Sequence, residues 1–443
     1  MGAVILLEGT SLTKVDWVRR LNIGSIDFAH LVDSRLLRLD DLGGYRLTFV
    51  GIVVFAQSIL FAQPKFGDST PLTLVQVLRV LRVYFGRSSR RRPYTDRARD
   101  PEYGNADVLR EFDALQGLRD WFHAKGVYRR EHAKSGQHGR PHWVRTIAKR
   151  HPVIVQGAVI YPSIIAERRE GVLNEVSAMQ IGLLRRLLVR YGFEVPSAIL
   201  HAELATGPLV TEWPLTDYRR NYLLRRLALE RRGAFLSDTL HLFELIQGAL
   251  ESRLAGHELR PQIYGTTAFY SVWEDACRFA LSEPGAPNPV SMVGQPVWRA
   301  QGDDGKLVRH EVTQIPDIIV ERNDWCVIID AKYYYRFPDS YPGAPDIIKQ
   351  FYYADSLRGQ AEHVLSVFLL PAPGAAVPAF LGYATIEGSQ RRFGNIEAWG
   401  VDPVALLARY VQALPSGGDD LVGSIITRRP HVTELFGEAP TNV

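Results

Sequence analysis

Chemistry concentrates in one stretch of this 443-residue chain, Gln314 to Tyr335, which reads QIPDIIVERNDWCVIIDAKYYY. Pro316–Val320 and Trp325–Tyr334 have the β-branched and aromatic content of strands, and the polar residues Glu321–Asp324 separate them. Asn323 and Asp324 tolerate positive φ, so the spacing predicts a two-residue hairpin turn there. That turn sets the register: Asp317 falls opposite Asp330 on one sheet face, with Cβ atoms ~4.5–5.5 Å apart. Side chains alternate, so Lys332 shares the face of Asp330. Two carboxylates at that separation repel unless a cation lies between them. Mg²⁺ is the natural one, because it is hard, prefers oxygen ligands and bridges carboxylate to phosphate. Both strands are apolar on both faces and so read as buried. Buried aspartate and lysine are costly unless ion-paired or metal-bound, which leaves a plain ion-paired hairpin as the alternative.

The elements around this hairpin must supply the rest. Upstream, Phe269–Leu281 (FYSVWEDACRFAL) carries Val272, Ala276, Phe279 and Ala280 on one helical face, with Glu274 within it as a third acid. Taken alone, Glu274 is an ordinary surface carboxylate. Downstream, 347–357 (IIKQFYYADSL) reads as a helix with Gln350 and Tyr353 one turn apart. Its plainer reading is core packing for Tyr353 and solvent for Gln350.

A helix with Glu, then PD, then DAK, then a helix with Gln and Tyr resembles, in that order, the PD-(D/E)xK nuclease superfamily. The wording GTTAFYSVWEDAC, IPD, DAKYY and QFYYA is similar to the LlaJI-type restriction endonucleases, relatives of the nuclease subunit McrC. YRLTFVGIVVF and GRPHWVRTIAKR resemble the N-terminal part of the same family, so the likeness covers most of the chain, with the chemistry confined to about 265–355. The resemblance implies that Asp317 and Asp330 bind Mg²⁺ and that Glu274 assists the metal site from its helix. Lys332 would orient the attacking water and offset charge on the phosphate, and Gln350 and Tyr353 would support the site or touch the DNA backbone. It implies phosphodiester hydrolysis that leaves 5′-phosphate ends, with no residue covalently attached to DNA. The QFYY spacing departs from the QxxxY of other branches and makes Gln350 the firmer assignment.

The fold class expected is an α/β multidomain chain. A C-terminal PD-(D/E)xK core, a mixed sheet flanked by helices, would follow N-terminal α+β and winged-helix-like modules. Tyr45–Phe55 and Gln57–Ala62 read as paired strands. A helix follows, with Thr70 as N-cap, Pro71 in its first turn and Gly86 as its stop. Arg87–Arg99 (RSSRRRPYTDRAR) reads as an exposed basic linker, so 1–100 forms one domain. Helix 107–125, a short helix at 141–149 and a strand pair in Pro152–Tyr161 split at Gln156–Gly157 give 101–165 a winged-helix-like order. A helical connector or docking region spans 166–255, the nuclease domain 256–405, and an uninformative tail with a turn-like Pro415–Asp420 spans 406–443.

Net charge is +4, but 87–151 holds 16 Lys/Arg against 8 Asp/Glu. A basic block on a near-neutral body implies a local anionic partner. Its densest part, 121–151, interleaves Trp121, Phe122, Tyr128 and Trp143 with Arg129, Arg130, Lys134, Arg140, Arg145 and Lys149. These are the candidate contacts to double-stranded DNA, with the short turn Ser135–Gly139 able to approach the duplex, although an acidic protein partner would fit the same charge. No GxxxxGK[ST] is present, since Gly302–Lys306 (GDDGK) has the wrong spacing, so the chain carries no P-loop of its own. The family resemblance supplies the corresponding expectation: an McrB-like AAA+ GTPase subunit as partner. A homodimer is also compatible. Two cysteines, Cys277 and Cys326, cannot build a zinc site and are a poor disulfide framework, and no signal peptide or bilayer-length apolar stretch is present, so a cytoplasmic protein without membrane contact is expected. The sequence therefore points to a Mg²⁺-dependent DNA endonuclease subunit of a restriction or anti-phage system. The rivals are a catalytically inactive nuclease-fold subunit that binds DNA or assembles a complex, and a winged-helix regulator with an unrelated C-terminal domain.

Overall fold

The computed structural model describes the chain except for residues 1–2, 56–57, 92–101, 137–139, 211–214, 253–259, 283–288, 302–305, 323, 390–392, 414–420 and 431–443. Contacts gather it into two units, one of Met1–Ala3, Val54–Ile59 and Asn105–Gln262, the other of Val4–Val53, Leu60–Gly104 and Ile263–Val443. The segments expected as 1–100, 256–405 and 406–443 thus fall largely within one unit, and 101–165 with 166–255 in the other. Within the second of these units, the N-terminal segments are joined to the C-terminal one by a strand that sequence patterning does not mark. Gln262–Thr266 lies between Val50–Val54 and Glu102–Gly104 in a five-stranded sheet completed by Ile59–Gln63 and Ala3–Leu7. Gly51, with φ +143°, is needed at this crossing, because a Cβ there would stand 2.3 Å from the Tyr264 carbonyl oxygen.

The helix after these strands runs Leu74–Arg91. Thr73, not Thr70, caps it, its hydroxyl accepting from the Gln76 N–H at 3.3 Å. Gly86 does not stop it and Arg87 is not linker: its guanidinium lies 4.0 Å from the Phe279 ring centroid, 5.4 Å from that of Tyr410 and 3.9 Å from Asp275. Packing of that kind outweighs the roughly 1 kcal/mol helix penalty of one glycine. Residues 92–99 of the expected linker lie outside the described residues. Arg87→Ala should lower stability by about 1–2 kcal/mol through lost cation–π and stem packing. A thermal melt checks this, and an unchanged midpoint would refute it.

The second sheet of this unit runs in the order Ile318–Arg322, Trp325–Ala331, His363–Pro371, Ile396–Val401, Ala379–Ala384. Its outer pairs are antiparallel and its central pairs parallel. The two inner strands beyond the hairpin are almost wholly buried, as parallel strands covered on both faces must be. Phe269–Leu281 and Ala344–Leu357 both contact the hairpin strands. On one face Ile319, Cys326 and Ile328 pack with Val293, Tyr353, Ala354 and Leu357. The expected tail contains a helix, Pro403–Gln412, packed on the Glu274 helix, where the Tyr410 hydroxyl donates to Asp275 at 2.5 Å. The turn-like 415–420 lies outside the described residues. Between the Glu274 helix and Asp317 stands an unanticipated hairpin, Val297–Gln301 with Leu307–Glu311, exposed along both strands.

In the other unit, Ala106–Lys125 and Trp143–Lys149 are helices as expected. Val153–Val155 pairs with Ala158–Ile160 across Gln156 and Gly157, both at positive φ. That hairpin stands apart from the adjacent sheet, which runs Arg130–Gly136, Ala166–Val172, Arg140–Pro141. Ala166–Val172, the middle strand, corrects the expectation of helix from 166 onward; helices begin at Glu175 and continue to Glu251. Here the charged pair Glu111–Arg190, 3.2 Å apart, is buried among Tyr191 and Ser252. Among the described residues no helix is long and apolar enough to cross a membrane.

Candidate active site

The hairpin register is the one that the Asn323–Asp324 turn predicts. Ile318 opposes Ile329, Val320 opposes Val327 and Arg322 opposes Trp325, which puts Asp317, the next residue out, level with Asp330. Asn323 itself lies outside the described residues. Asp330 is 3% exposed. The Ala331 N–H donates to Asp317 Oδ2 at 3.1 Å, so the strand edge itself orients the first carboxylate. The expected strand Trp325–Tyr334 ends at Ala331, yet the Lys332 N–H still donates to the Leu369 carbonyl at 2.9 Å. Lys332 is thereby held beside the pair, with its ammonium 3.1 Å from Asp330 Oδ1 and 2.8 Å from Asp346 Oδ1.

The electrostatics follow from burial and crowding. Burial first, and the facing Asp317 second, push the Asp330 carboxyl up to about 7 against the pull of Lys332. Asp317 is raised too, by burial and then by the charge of Glu274, while Asp330, Arg278 and Lys349 pull the other way. Burial lowers the Lys332 ammonium, but Asp330 and Asp346 outweigh it and hold it above the ordinary lysine range. Two ionised carboxylates have no hydrogen to offer one another, and Asp330 Oδ2 is buried without a hydrogen-bond partner. Such a pair at neutral pH calls for a shared proton or a cation.

The flanking helices divide their roles. Glu274 reaches the pair through its charge on Asp317 and on Cys277, whose thiol burial pushes far up. Among the described residues, however, no three His, Cys, Asp or Glu side chains cluster as a complete ligand set. A cation here would rest on Asp317 and Asp330, with Glu274 acting from further out. Gln350, expected in solvent on the plainer reading, is 1% exposed, and its Oε1 lacks a partner. Tyr353, a candidate DNA contact, is also 1% exposed, so it sits in the core rather than on a DNA-facing surface. Burial and the charges of Asp317 and Asp330 raise its hydroxyl, which also lacks a partner.

Three residues of the site were not anticipated. Arg278 lies one turn after Glu274, and its Nε donates to the Asp317 carbonyl at 2.9 Å. Asp346 anchors Lys332. Lys349 lies one turn before Tyr353, with its ammonium 5.5 Å from that ring centroid. The i, i+4 spacings from Glu274 to Arg278 and from Lys349 to Tyr353 were legible signals for two of them.

The proposed DNA contacts lie in the other unit. Arg129, Arg130, Arg140, Arg145 and Lys149 are exposed, and Lys134 lies on the strand Arg130–Gly136. Three are already engaged: Arg130 pairs with Glu230 at 3.3 Å, Arg145 pairs with Glu167 at 2.9 Å, and Arg129 donates to the Gly171 carbonyl at 3.4 Å. Of the interleaved aromatics, Trp143 is exposed, whereas Tyr128 is half-buried and hydrogen-bonds Glu230. Residues 137–139 of the expected turn are outside the described residues.

Several known proteins are similar to this chain. The Type II restriction enzyme BsuMI component YdjA of Bacillus subtilis (strain 168) is 22% identical over 415 residues, covering 87% of this chain and 83% of the relative. Among solved structures, the half-complex of Thermococcus gammatolerans McrB AAA+ hexamers with bound McrC aligns over 93% of this chain and 99% of that one, with 12% identity and a TM-score of 0.37. The McrBC complex of the same organism aligns over 56% of this chain and 79% of that one, with 12% identity and a TM-score of 0.24. The family description LlaJI restriction endonuclease matches residues 49–377, most of the chain and all of the site just described, and the protein belongs to that family.

Proposed function

We propose that the chain is the Mg²⁺-dependent DNA endonuclease subunit of a restriction system, with a PD-(D/E)xK core that hydrolyses phosphodiester bonds. One observation carries the reading: Asp317 and Asp330 face each other in the core with an orphaned carboxylate oxygen and a lysine alongside. The mixed sheet, entered by an antiparallel hairpin and flanked by two helices, supports the same assignment.

Asp317 and Asp330 would hold the ion. Bound there, Mg²⁺ supplies Lewis acidity at the scissile phosphate and lowers the pKa of the attacking water. The protein's own residues do the rest. The Ala331 N–H fixes Asp317, so one carboxylate keeps its direction through the reaction. Lys332 holds Asp330 in place and puts positive charge beside the seat, where negative charge grows in the transition state. Asp346 keeps that ammonium protonated and oriented. The buried Tyr353, whose hydroxyl lies in the field of both aspartates, would shield the seat on the helix side.

Duplex DNA is the substrate in this reading, with the exposed basic residues of 121–151 as a backbone contact. An McrB-like AAA+ GTPase is the proposed partner, because the sequence contains no P-loop and resembles subunits that work beside one. The noncatalytic alternative draws on one observation, the lack of a three-side-chain ligand cluster among the described residues. A plasmid assay separates the two. Full-length protein should nick or linearise DNA with Mg²⁺ and not with EDTA, alone or with a GTPase partner and GTP. DNA binding without cutting under every condition would identify the noncatalytic subunit.

A further inference from the structure

Lys332 is the lysine expected to meet the phosphate, but its ammonium already lies between Asp330, at 3.1 Å, and Asp346, at 2.8 Å. Two of its three N–H bonds are committed to carboxylates. A cation held in that way positions Asp330 more than it attracts a further anion. The Arg278 Nε is likewise taken, by the Asp317 carbonyl.

Lys349 differs. It is half-buried on the helix Ala344–Leu357, one turn beyond Asp346. Among the described residues no carboxylate lies within ion-pair distance of it. Its ammonium sits 5.5 Å from the Tyr353 ring centroid, and its charge acts on Asp317. Tyr353 links it to the acid pair: the same ring that the ammonium overlies carries a buried, unpartnered hydroxyl in the field of Asp317 and Asp330. A positive charge over an aromatic face, felt by Asp317 yet paired with no carboxylate among the described residues, has the electrostatics of a seat for an anion that arrives with the substrate.

We propose that Lys349 grips the phosphate of the strand being cut, while Lys332 positions Asp330. The proposal rests on Asp317, Asp330 and Lys332 being the cleavage site. A phosphate held by Lys349 places one anionic oxygen next to the acid pair and leaves Asp346 free to anchor Lys332. The binding term is electrostatic, so it must show itself in salt dependence, which a purely structural role would not alter.

The test uses the full chain with Lys349→Met, which keeps the apolar stem without the charge, and Lys349→Arg, which keeps the charge. Duplex affinity is measured against salt with Ca²⁺ in place of Mg²⁺, and cleavage is measured with Mg²⁺. For Lys349→Met the slope of log K against log salt should fall in magnitude by about 0.9, the share of one phosphate. KM should rise about tenfold with kcat changed far less, as for a lost ground-state contact. Lys349→Arg should restore the slope. If Asp330→Ala abolishes cutting while Lys349→Met leaves slope and KM unchanged, the phosphate role is wrong and the cleavage site stands. If Lys349→Met instead lowers kcat and melting temperature together, and Lys349→Arg does not recover the slope, the residue is structural. If the wild type neither cuts nor binds DNA, both readings fall.

Discussion

Asp330→Ala should abolish DNA cleavage, by about 10³-fold or more, since the ion proposed to rest on Asp330 would supply several kcal/mol of transition-state stabilisation, and its loss translates to that factor. The variant should still fold and still bind duplex. Asp330 is central because it has two unlike neighbours: Asp317, whose charge repels it, and Lys332, whose charge holds it. Truncation relieves the repulsion, and Lys332 retains Asp346 as a partner, so no buried lysine is stranded. The backbone register of the hairpin is set by five residue pairs in which Asp330 does not take part. Activity should therefore vanish without the unfolding that usually follows removal of one half of a buried ion pair. The measurement is plasmid cleavage with Mg²⁺ beside an electrophoretic shift on the same duplex. Cutting by Asp330→Ala at anything near the wild-type rate would remove these two aspartates from the chemistry.

How much of this site could be read in advance depends on the range of the interaction. The hairpin was legible because its logic is local. A polar turn between two apolar runs determines which residues face each other, and Asp317 meets Asp330 by arithmetic on position alone. The Glu274 helix was equally plain, its bounds Phe269–Leu281 following from apolar spacing. What stayed hidden depends on contacts distant in sequence. Strand Gln262–Thr266 has only five residues and no alternation, and it is a strand because Val50–Val54 and Glu102–Gly104 flank it. Gly86 looks like a helix stop until Arg87 meets the ring of Phe279, nearly two hundred positions away. Gln350 was the hardest residue to place, since a glutamine on an amphipathic helix normally faces water. Its burial shows that this side of the helix faces the protein interior, which the period of the pattern alone does not reveal.

With metal removed by EDTA, the wild-type protein should lose stability as pH rises from 5.5 to 8, and Asp330→Asn should lose less. The sign follows from linkage. An aspartate in the unfolded chain titrates near 3.9, whereas Asp330 in the fold titrates at about 7. Between those values the folded protein binds a proton that the unfolded chain has released. The stabilisation is complete below the unfolded value and is lost as pH climbs through about 7, with about 2 kcal/mol of that loss falling above pH 5.5. Above that point two carboxylates face each other in the core beside Lys332, a cation already shared with Asp346. Asparagine removes the titration, so the variant should melt several degrees above the wild type at pH 8 and no higher at pH 5.5. Melts of both proteins at the two pH values measure this directly, and equal pH dependence would show that the pair does not share a proton. Adding Mg²⁺ at pH 8 carries the argument to function. If the ion occupies the position that the proton vacates, it should raise the wild-type midpoint and leave Asp330→Asn largely unmoved. The instability of the empty acid pair near neutral pH is then the reason it takes up a cation, and the charge that destabilises the fold is the charge that the reaction requires.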